Sequence, residues 1–378
     1  MGRTANWRRK GGRRCTNRLR PDPDRLIGEI DDEGREWLMK VAFNGLGRIG
    51  RAAFKILATN PELDVVAIND VHPPENLAYL LNHDTVYGRY PNRVTVRNGA
   101  LMMADRSFPT FMERDPARLP WGDLQVDIVF ECTGQFNQRQ DLSKHLDAGA
   151  KRVILSAPSM DDDIPTVIFG VNVYDEKHGA ILSCGSCTTN CVAPIVEIIG
   201  RRIGLRKAVM NTVHAYTASQ GIVDGSKKNM RKGRAGAANL VPSTSGAATA
   251  TARALPSLRG RFDATAVRAP VPICSIADVV MVTARTTSVE EVNTLFLEEA
   301  RSERYEGVVG VTEDPVVSTD IIQDPRASII DREMTQVVDG DLVKVMSWYD
   351  NEWGYASQMV RQAVSMAQIV PVEPAFSR

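Results

Sequence analysis

The sequence is poor in cysteine, has no long apolar run and carries no excess charge of either sign. Six cysteines in 378 residues are too few for the disulfide framework of a small secreted protein. Because there is neither a run of about 18 apolar residues nor the apolar core of a secretory signal, we expect no transmembrane helix and no export by that route. Lys plus Arg and Asp plus Glu each number 46, so the net charge does not attract nucleic acid or an anionic membrane.

The first 38 residues differ in composition from the rest of the chain. Residues 1–20 are rich in arginine and contain no acid and almost no apolar residue. Such a segment has too little apolar surface to form a core, so residues 1–38 are expected to be a basic, disordered extension. Three explanations stay open, of which we favour the first: translation starts at Met39, the segment is an organellar transit peptide, or it is a basic arm that contacts nucleic acid.

From residue 39 onward, short apolar runs alternate with helical patterns. Residues 41–44 and 65–69 are typical of buried strands, and the apolar residues between them recur at helical spacing, which predicts a βαβ unit. Further strand-like runs, with one helical pattern among them at 139–148, lie at residues 126–131, 152–156, 166–169 and 180–183. This alternation predicts a parallel sheet.

After residue 186 the pattern changes to longer strand-like segments. They lie at residues 208–215, 262–268, 275–286 and 342–348. They predict a mostly antiparallel sheet with one face covered, hence an α+β domain. We therefore expect an α/β protein of two domains: a Rossmann-type doubly wound parallel sheet in residues 39–186, and an α+β domain in residues 187–354. A last helical pattern, residues 355–370, is expected to pack back on the first domain.

Three glycines follow the first predicted strand in the spacing GxGxxG. Gly45 permits a tight turn, Gly47 a close approach of a pyrophosphate, and Gly50 close packing of helix on strand. Asp70 follows the next strand, where a carboxylate can accept a hydrogen bond from an adenosine ribose hydroxyl. The pattern predicts a bound dinucleotide and therefore hydride transfer. The alternative for Asp70 is a helix or turn cap.

A polar segment at residues 186–190 precedes an apolar pattern with helical spacing. Cys187 is therefore expected at a helix N-terminus, where free amides and the helix dipole favour the thiolate that attacks an aldehyde. His214, at the end of an apolar strand-like run, is a candidate general base facing Cys187 across a cleft. The alternatives are an inert buried thiol and a structural histidine, and spacing alone does not decide between them.

Longer strings in the chain resemble the phosphorylating glyceraldehyde-3-phosphate dehydrogenase family over residues 39–368. They are KVAFNGLGRIGR, VVAIND, LLNHDTVYG, ECTG, SCTTNC, HAYT, PSTSGAA and LVKVMSWYDNEWGY, together with residues 263–278. The resemblance implies that glyceraldehyde 3-phosphate is oxidised with NAD and inorganic phosphate to 1,3-bisphosphoglycerate. It implies that Cys187 attacks the aldehyde, that His214 removes the thiohemiacetal proton, and that phosphate then cleaves the thioester. Erythrose-4-phosphate dehydrogenase stays open as the alternative, although HAYT and PSTSGAA favour the triose enzyme.

The resemblance also implies the binding residues. For the substrate and the attacking phosphate they are Ser186, Thr188, Thr217, Lys232, Ser245, Gly246 and Arg268. For the cofactor they are Gly45, Gly47, Arg48, Ile49, Gly50, Asp70, Arg114, Thr133, Gly134, Ser156, Ser226, Asn351 and Tyr355. Lys232 stands where many members have arginine, and Ser245 where most have threonine. Because lysine cannot make the bidentate contact of arginine, weaker phosphate binding is expected.

NAD is the expected cofactor, with measurable use of NADP. The carboxylate of Asp70 repels a 2′-phosphate. However, Gly225 and Ser226 stand where strictly NAD-dependent members have Leu-Pro, and a serine hydroxyl can donate to a phosphate. By resemblance the assembly is a homotetramer in which the loop around Ser226 crosses an interface. The direction of flux, whether glycolytic, gluconeogenic or of the Calvin type, stays open.

Cys184 stands where the family usually has asparagine and forms a CxxC pattern with Cys187. A small buried side chain is favoured over a reversible disulfide between the two. No metal site is expected, since Cys184, Cys187 and Cys191 have no histidine nearby in the sequence. The sparse thiols favour a reducing compartment, hence the cytoplasm, or an organelle if the extension is a transit peptide. A nucleic-acid-binding or scaffold function of the same fold is disfavoured, because the cysteine and the histidine of the reaction are both present.

Overall fold

Two β-sheets, each built from one half of the chain, position the candidate site. The computed structural model describes residues 38–175, 177 and 179–369. Apart from Leu38, the predictions made for the basic extension lie outside the described residues.

The first half contains one large sheet and two small ones. Its strands are β1 (Met39–Asn44), β2 (Leu63–Asn69), β3 (His83–Asp84), β4 (Gly88–Arg89), β5 (Val94–Arg97), β6 (Ala100–Met103), β7 (Arg106–Phe108), β8 (Thr110–Phe111), β9 (Ile128–Glu131), β10 (Arg152–Leu155) and β11 (Ile181–Ser183). Its helices are α1 (Arg48–Leu57), α2 (Pro74–Asn82) and α3 (Arg139–Asp147), with a short 3-10 helix at Pro116–Arg118.

The large sheet is parallel throughout, in the order β11-β10-β9-β1-β2-β8. From β1 the chain passes through α1 to β2 on one side, whereas β9 lies on the other side of β1. In doubly wound folds this reversal opens a crevice at the carboxyl ends of the strands, where dinucleotides bind. Buried aromatic rings fix the βαβ unit, since Phe43 of β1 stacks on Phe130 of β9 at 5.1 Å and meets Phe54 of α1 edge-on.

The second half is built around a seven-stranded sheet. Its strands are β12 (Leu205–Ala215), β13 (Val241–Thr244), β14 (Phe262–Ala269), β15 (Ser275–Thr283), β16 (Val309–Thr312), β17 (Ser328–Val338) and β18 (Leu342–Tyr349). Its helices are α4 (Cys187–Arg202), α5 (Ala247–Ala254), α6 (Val289–Ala300) and α7 (Trp353–Ile369), with 3-10 helices at Met230–Gly233, Gly236–Ala238, Pro256–Leu258 and Ser318–Ile321.

This second sheet runs in the order β13-β14-β12-β15-β18-β17-β16. Four neighbouring pairs are antiparallel, and the pairs β12/β14 and β16/β17 are parallel. Side chains of α4, α5 and α6 share one core with residues from a single face of the sheet, among them Met210 and Val279. The opposite face carries the exposed Val209 and Val213 of β12. The predicted fold class, a doubly wound parallel sheet plus an α+β part, is confirmed.

Helix α7 belongs to the core of the first half. Its residues Met359, Val360 and Ala363 pack in the same buried cluster as Phe54 and Leu57 of α1. The limits proposed for the two domains stay predictions; the one at residue 187 coincides with the start of α4.

One predicted strand, at residues 166–169, does not form. Thr166 makes a single bridge to Ser183, and the chain then turns, with the Val171 amide donating to the Ile168 carbonyl. The side-chain amide of Asn172 donates to the Thr166 carbonyl and accepts from the Ile168 amide. A local side chain therefore satisfies the backbone groups that a neighbouring strand would otherwise pair. No helix among the described residues combines the length and apolar character that crossing a membrane requires.

Candidate active site

Cys187 is the first residue of α4 and lies just beyond the carboxyl end of the first sheet. Strand β11 ends at Ser183, and Gly185 adopts a φ of +63°, which favours glycine and turns the chain from strand into helix. The Ser186 hydroxyl caps α4 by accepting from the Thr189 amide at 3.1 Å. The thiol thus lies on the N-terminal turn, as the sequence predicts.

His214 lies beside this thiol, near the end of β12. Its Nε2 is 3.4 Å from Cys187 Sγ, and the residue is 4% exposed. Cys187 itself is partly exposed. The structure therefore brings together a nucleophile and a base that are 27 positions apart in the sequence.

The other ring nitrogen of His214 has two contacts that favour opposite tautomers. The Ala215 carbonyl oxygen is 2.7 Å from Nδ1 and can only accept, so this hydrogen bond needs a proton on Nδ1 and leaves the lone pair of Nε2 facing the sulfur. Arg268 Nη1 also contacts Nδ1 and can only donate, which needs a lone pair there. The same Nη1 lies 3.1 Å from the Ala215 oxygen. Arg268 Nη1 thus contacts both the His214 imidazole and the Ala215 carbonyl oxygen.

Desolvation acts on both members of the pair, although Cys187 keeps part of its surface exposed. Desolvation raises the pKa of the Cys187 thiol, because a thiolate would lose its hydration, whereas the Arg268 charge and hydrogen bonds from Thr188 act in the opposite direction. Burial, together with the positive charge of Arg268, lowers the pKa of His214 to about 4. Desolvation thus acts against the expected thiolate, whereas the Arg268 charge and the hydrogen bonds at the helix terminus act for it. The lowered pKa of His214 keeps its imidazole neutral.

Tyr349 packs against His214, and its place in the site was not predicted. Its buried hydroxyl lies 3.0 Å from the Thr188 Oγ1 and 2.8 Å from the Thr212 Oγ1. Its ring meets the His214 ring edge-on, with centroids 6.0 Å apart. The signal in the sequence is a tyrosine at the end of an apolar strand, because a buried phenol needs a hydrogen-bond partner.

The three glycines of the β1–α1 turn have different surroundings. A side chain at Gly45, whose φ is +95°, would place Cβ 2.7 Å from the Thr133 amide nitrogen. At Gly50 it would lie 2.1 Å from the Gly45 carbonyl oxygen. At Gly47, by contrast, the nearest atom would be 3.9 Å away. Gly45 and Gly50 are thus required by the protein itself, and Gly47 keeps open the approach to the start of α1.

These residues fit a dinucleotide. Gly47 is the N-cap of α1 and supplies no side-chain cap, so the first amides of the helix stay available to a pyrophosphate. Asp70 Oδ2 accepts from the Leu46 amide at 2.8 Å, and Asp70 Oδ1 accepts from the His72 amide at 3.0 Å. The carboxylate is therefore held against the glycine turn, where an adenosine ribose would lie.

A buried polar network, not predicted from the sequence, supports this crevice. Glu131, at the end of β9, accepts from Asn44 at 2.6 Å, from the Thr133 amide at 2.8 Å and from the Thr133 hydroxyl. Trp121 Nε1 donates to His145 Nδ1 at 3.0 Å, so the His145 proton resides on Nε2, which lies 3.1 Å from Glu131. The network joins the ends of β1 and β9 and fixes Thr133 at the wall of the crevice.

Asn351 and Tyr355 lie close to the thiol side of the crevice. Ser275 donates to Asn351 Oδ1 at 3.2 Å, and its oxygen accepts from the Ala215 amide at 3.1 Å. Ser275, a further residue that the sequence did not indicate, thus ties Asn351 to the strand that carries His214. The Tyr355 hydroxyl donates to the Gly185 carbonyl at 3.0 Å, just before Cys187.

Of the residues predicted to bind phosphate, only some contact the Cys187–His214 pair. Arg268 contacts His214, and Thr217 follows β12, with its Oγ1 2.9 Å from the Ser219 hydroxyl. Lys232 lies in the 3-10 helix Met230–Gly233, and Ser245 with Gly246 directly precedes α5. In the part of the chain described, none of Thr217, Lys232, Ser245 and Gly246 is hydrogen-bonded to Cys187 or His214.

The remaining predicted cofactor residues differ in placement. The Arg48 guanidinium binds both oxygens of Glu352 at 2.6–3.0 Å and also contacts Asp84, so it ties the glycine turn to the segment after β18. Ile49 is the second residue of α1, Gly134 has a φ of +69°, and the Ser156 amide donates to the Glu131 carbonyl. Arg114 and Ser226 are exposed. Ser226 follows Gly225, whose amide donates to the Gly233 carbonyl at 2.8 Å.

The other cysteines of the described chain are buried. Cys184 is 3% exposed, and burial raises its pKa well above the usual range of a thiol. The disulfide between Cys184 and Cys187 stays a prediction. Among the described residues, no group of three or more His, Cys, Asp or Glu side chains could hold a metal ion.

Comparison with known proteins gives a consistent result for both halves of the chain. Residues 39–139 match the NAD binding domain of glyceraldehyde 3-phosphate dehydrogenase, and residues 186–351 match its C-terminal domain. The chain is 44% identical to glyceraldehyde-3-phosphate dehydrogenase 1 of Streptomyces avermitilis over 86% of this chain and 98% of that protein. It is 43% identical to glyceraldehyde-3-phosphate dehydrogenase of Geobacillus stearothermophilus over 87% of this chain and 98% of that protein. The erythrose alternative is not favoured by these names.

Proposed function

The chain belongs to the glyceraldehyde-3-phosphate dehydrogenase family, and from this premise we propose that Cys187 and His214 perform its reaction. The reaction is the NAD-dependent oxidation of glyceraldehyde 3-phosphate with inorganic phosphate to 1,3-bisphosphoglycerate. The observation that carries the proposal is the 3.4 Å contact between Cys187 Sγ and His214 Nε2 at the N-terminus of α4.

The pair first forms a covalent bond to the substrate. As Cys187 Sγ attacks the aldehyde carbon, the thiol proton passes to Nε2 of His214, which is neutral because its pKa is lowered to about 4. The proton then moves to the former carbonyl oxygen, giving a thiohemiacetal. The backbone amide of Cys187 and the protonated His214 stabilise the negative charge on that oxygen.

Oxidation and release follow at the same sulfur. When bound, NAD supplies the acceptor for the hydride of the thiohemiacetal carbon. His214 takes the hydroxyl proton at this step, and the product is a thioester on Cys187. Inorganic phosphate attacks the thioester carbon, the carbon–sulfur bond breaks, and the sulfur recovers its proton from His214.

Besides binding the substrate phosphate, Arg268 influences which nitrogen of His214 carries the proton. Its contact with Nδ1 favours the tautomer in which Nε2 carries the proton. In that tautomer Nε2 has no lone pair and cannot accept the thiol proton. A substrate phosphate near Thr217 attracts the guanidinium by charge. The Ala215 carbonyl then keeps Nδ1 protonated, and Nε2 is ready to act as a base. Substrate binding thereby selects the reactive tautomer.

Cofactor choice and phosphate affinity depend on two positions, 226 and 232, at which this chain differs from many members of the family. Ser226 permits some use of NADP, whereas the carboxylate of Asp70 keeps NAD preferred. Lys232, a single cation in place of a planar guanidinium, binds the attacking phosphate together with Ser186, Ser245 and Gly246, and more weakly than arginine would.

Assembly and location complete the proposal. The family resemblance implies a homotetramer, and the uncovered face of the second sheet, with Val209 52% exposed, supports association between copies of the chain. Such an assembly would bring the loop of Ser226 to the crevice of a neighbouring subunit. A reducing compartment, the cytoplasm, suits an enzyme that depends on a free thiol.

The experiment that tests the proposal is NADH formation from glyceraldehyde 3-phosphate with and without inorganic phosphate. We expect turnover only with phosphate, and a loss of about a thousandfold or more in Cys187→Ser, because a hydroxyl is a far weaker nucleophile than sulfur. Cys184→Ala, which removes a thiol outside the pair, serves as the control and should retain the parent rate within about threefold. An unchanged rate in Cys187→Ser would refute the proposal.

A further inference from the structure

A cleft on the side of α1 away from the glycine turn has an unusual lining. It has a volume of about 540 Å³, and its walls include Lys55, Arg89, Tyr87, Tyr90 and Trp353. Among the described residues that line it there are two cations and no Asp or Glu. None of these five residues has a part in the reaction derived above. The volume lies within the usual range for a small-molecule site.

Lys55 is a buried cation at the wall of this cleft without an anionic partner. The residue is 5% exposed, and Nζ lies 4.9 Å from the centre of the Tyr90 ring. Within the described part of the chain, no carboxylate lies within ion-pair distance of this amine. Burial lowers the pKa of Lys55, which is the cost of an ammonium group removed from water. A buried charge is usually paired, so the missing counter-ion points to a ligand.

The acid whose charge acts on Lys55 is already engaged. Asp84 contacts the Arg48 guanidinium and accepts from the Val86 amide at 2.9 Å and the Tyr87 amide at 3.1 Å. Its negative charge acts on Lys55 at a distance, but its oxygens are occupied. No carboxylate of the described chain is therefore paired with Lys55, and its ammonium group is open to an anion from outside that chain.

The aromatic walls indicate the rest of the ligand. Tyr87 and Trp353 meet edge-on, with ring centroids 5.4 Å apart, and Tyr90 lies under the Lys55 ammonium. Arg89 is exposed and lines the same cleft, so it offers a second cation to an anionic ligand. Aromatic surfaces beside cations favour a flat ring that carries a phosphate.

We propose that this cleft binds an organic phosphate with a flat ring, the chemistry of a mononucleotide, through Lys55 and Arg89. The phosphate lies against the two cations, and the ring lies against the aromatic side chains. The site is separate from the dinucleotide crevice and from the phosphate-binding residues near Cys187. Binding at this site does not depend on any step of the oxidation, so the proposal would stand even if the proposed function were refuted.

The test is calorimetric titration of NAD-saturated protein with AMP, because NAD then occupies the dinucleotide crevice. We expect AMP to bind, and ribose 5-phosphate, adenosine and inorganic phosphate each to bind more weakly. Lys55→Met, which keeps the length of the side chain and removes the charge, should raise the Kd of AMP by about tenfold or more. Since burying a methionine is less costly than burying an ammonium, this variant should fold.

Two further variants separate this site from general charge effects. Arg89→Gln, at an exposed position, should raise the Kd of AMP by about threefold. Arg97→Gln, a matched removal of an exposed arginine on β5, should leave the Kd within about twofold. Absence of AMP binding to the NAD-saturated parent would overturn the proposal, as would equal affinities of the parent and Lys55→Met. Equal binding of inorganic phosphate and AMP would show that the ring is not recognised and would overturn the mononucleotide assignment.

Discussion

At the scale of single residues, Arg268 influences both members of the Cys187–His214 pair. Its positive charge lowers the pKa of the thiol, where it opposes burial, and lowers the pKa of the imidazole, where it adds to burial. It favours the thiolate on one partner and disfavours the imidazolium on the other. One guanidinium therefore adjusts the nucleophile and the base together.

Replacing this charge gives a prediction for the pH dependence. In Arg268→Gln the thiol loses a stabilising charge, so the pH midpoint of Cys187 alkylation by iodoacetamide should move upward. The pKa of His214, now about 4, should also rise, because a repelling cation is removed. Peptide mapping of the alkylated protein against pH measures the first shift, and NMR titration of the His214 ring measures the second.

Arg97→Gln is the control, since that exposed arginine lies on β5, far along the chain from the pair. It should shift neither midpoint. A downward shift of the alkylation midpoint in Arg268→Gln would contradict this account of the electrostatics.

At the scale of elements, the turn between β1 and α1 shows how one motif combines requirements of the fold and of a ligand. Gly45 and Gly50 have no room for a side chain because the protein backbone itself is in the way. Gly47 has that room, so within the protein a side chain would be tolerated there. The same spacing therefore contains two structural glycines and one that only a bound pyrophosphate needs.

This difference predicts opposite phenotypes for two similar changes. Gly50→Ala places a methyl group 2.1 Å from the Gly45 carbonyl oxygen and should cost about 2 kcal/mol or more in the free energy of unfolding. Gly47→Ala should change stability by less than about 1 kcal/mol but should raise the Kd of NAD by about tenfold. Urea denaturation and NAD titration measure the two quantities. NAD binding by Gly47→Ala with the affinity of the parent would contradict the assignment.

At the scale of elements, the strands and helices that local patterns predicted formed with one exception, whereas helices α2, α5 and α6 and strands β3 to β8, β13, β16 and β17 were not predicted. The βαβ unit, α4 and the long strands of the second sheet formed where periodicity placed them, to within a few residues. The run at 166–169 did not become a strand, although it is buried. Burial and apolar character are shared by strands and by packed turns, and the decisive contact was the side chain of Asn172.

At the scale of the whole molecule, the helices of the described chain cover one face of the second sheet and leave Val209 and Val213 exposed on the other. Val209 of β12 is paired with Val280 of β15 on the uncovered face. Val280 is in turn paired with Lys344 of β18. Apolar side chains on an open sheet face favour association with another copy of the chain.

The proposed assembly can be tested on this face. Val209→Lys combined with Val280→Lys places two charges where an apolar contact is expected and should lower the mass measured by analytical ultracentrifugation. Val173→Lys, at a position 77% exposed outside the sheet, should keep the mass of the parent. If the double variant sediments like the parent, this face is not the interface.

The sequence by itself determined the fold class, the dinucleotide motif and the position of Cys187 on a helix N-terminus. These depend on periodicity, turn chemistry and capping, which are local properties of neighbouring residues. The residues themselves offered His214 as a candidate base, and family resemblance added its role in the reaction and the phosphate-binding Arg268.

Only the tertiary structure decided the distances and the electrostatics of the site. The contact of Cys187 with His214, the hydroxyl of Tyr349 between two threonines, and Ser275 beside Asn351 join strands far apart in the chain. Burial in particular raises the pKa of the thiol and so acts against the expected thiolate. The reason is physical: desolvation depends on everything that packs around a group, and no local pattern along the chain contains that information.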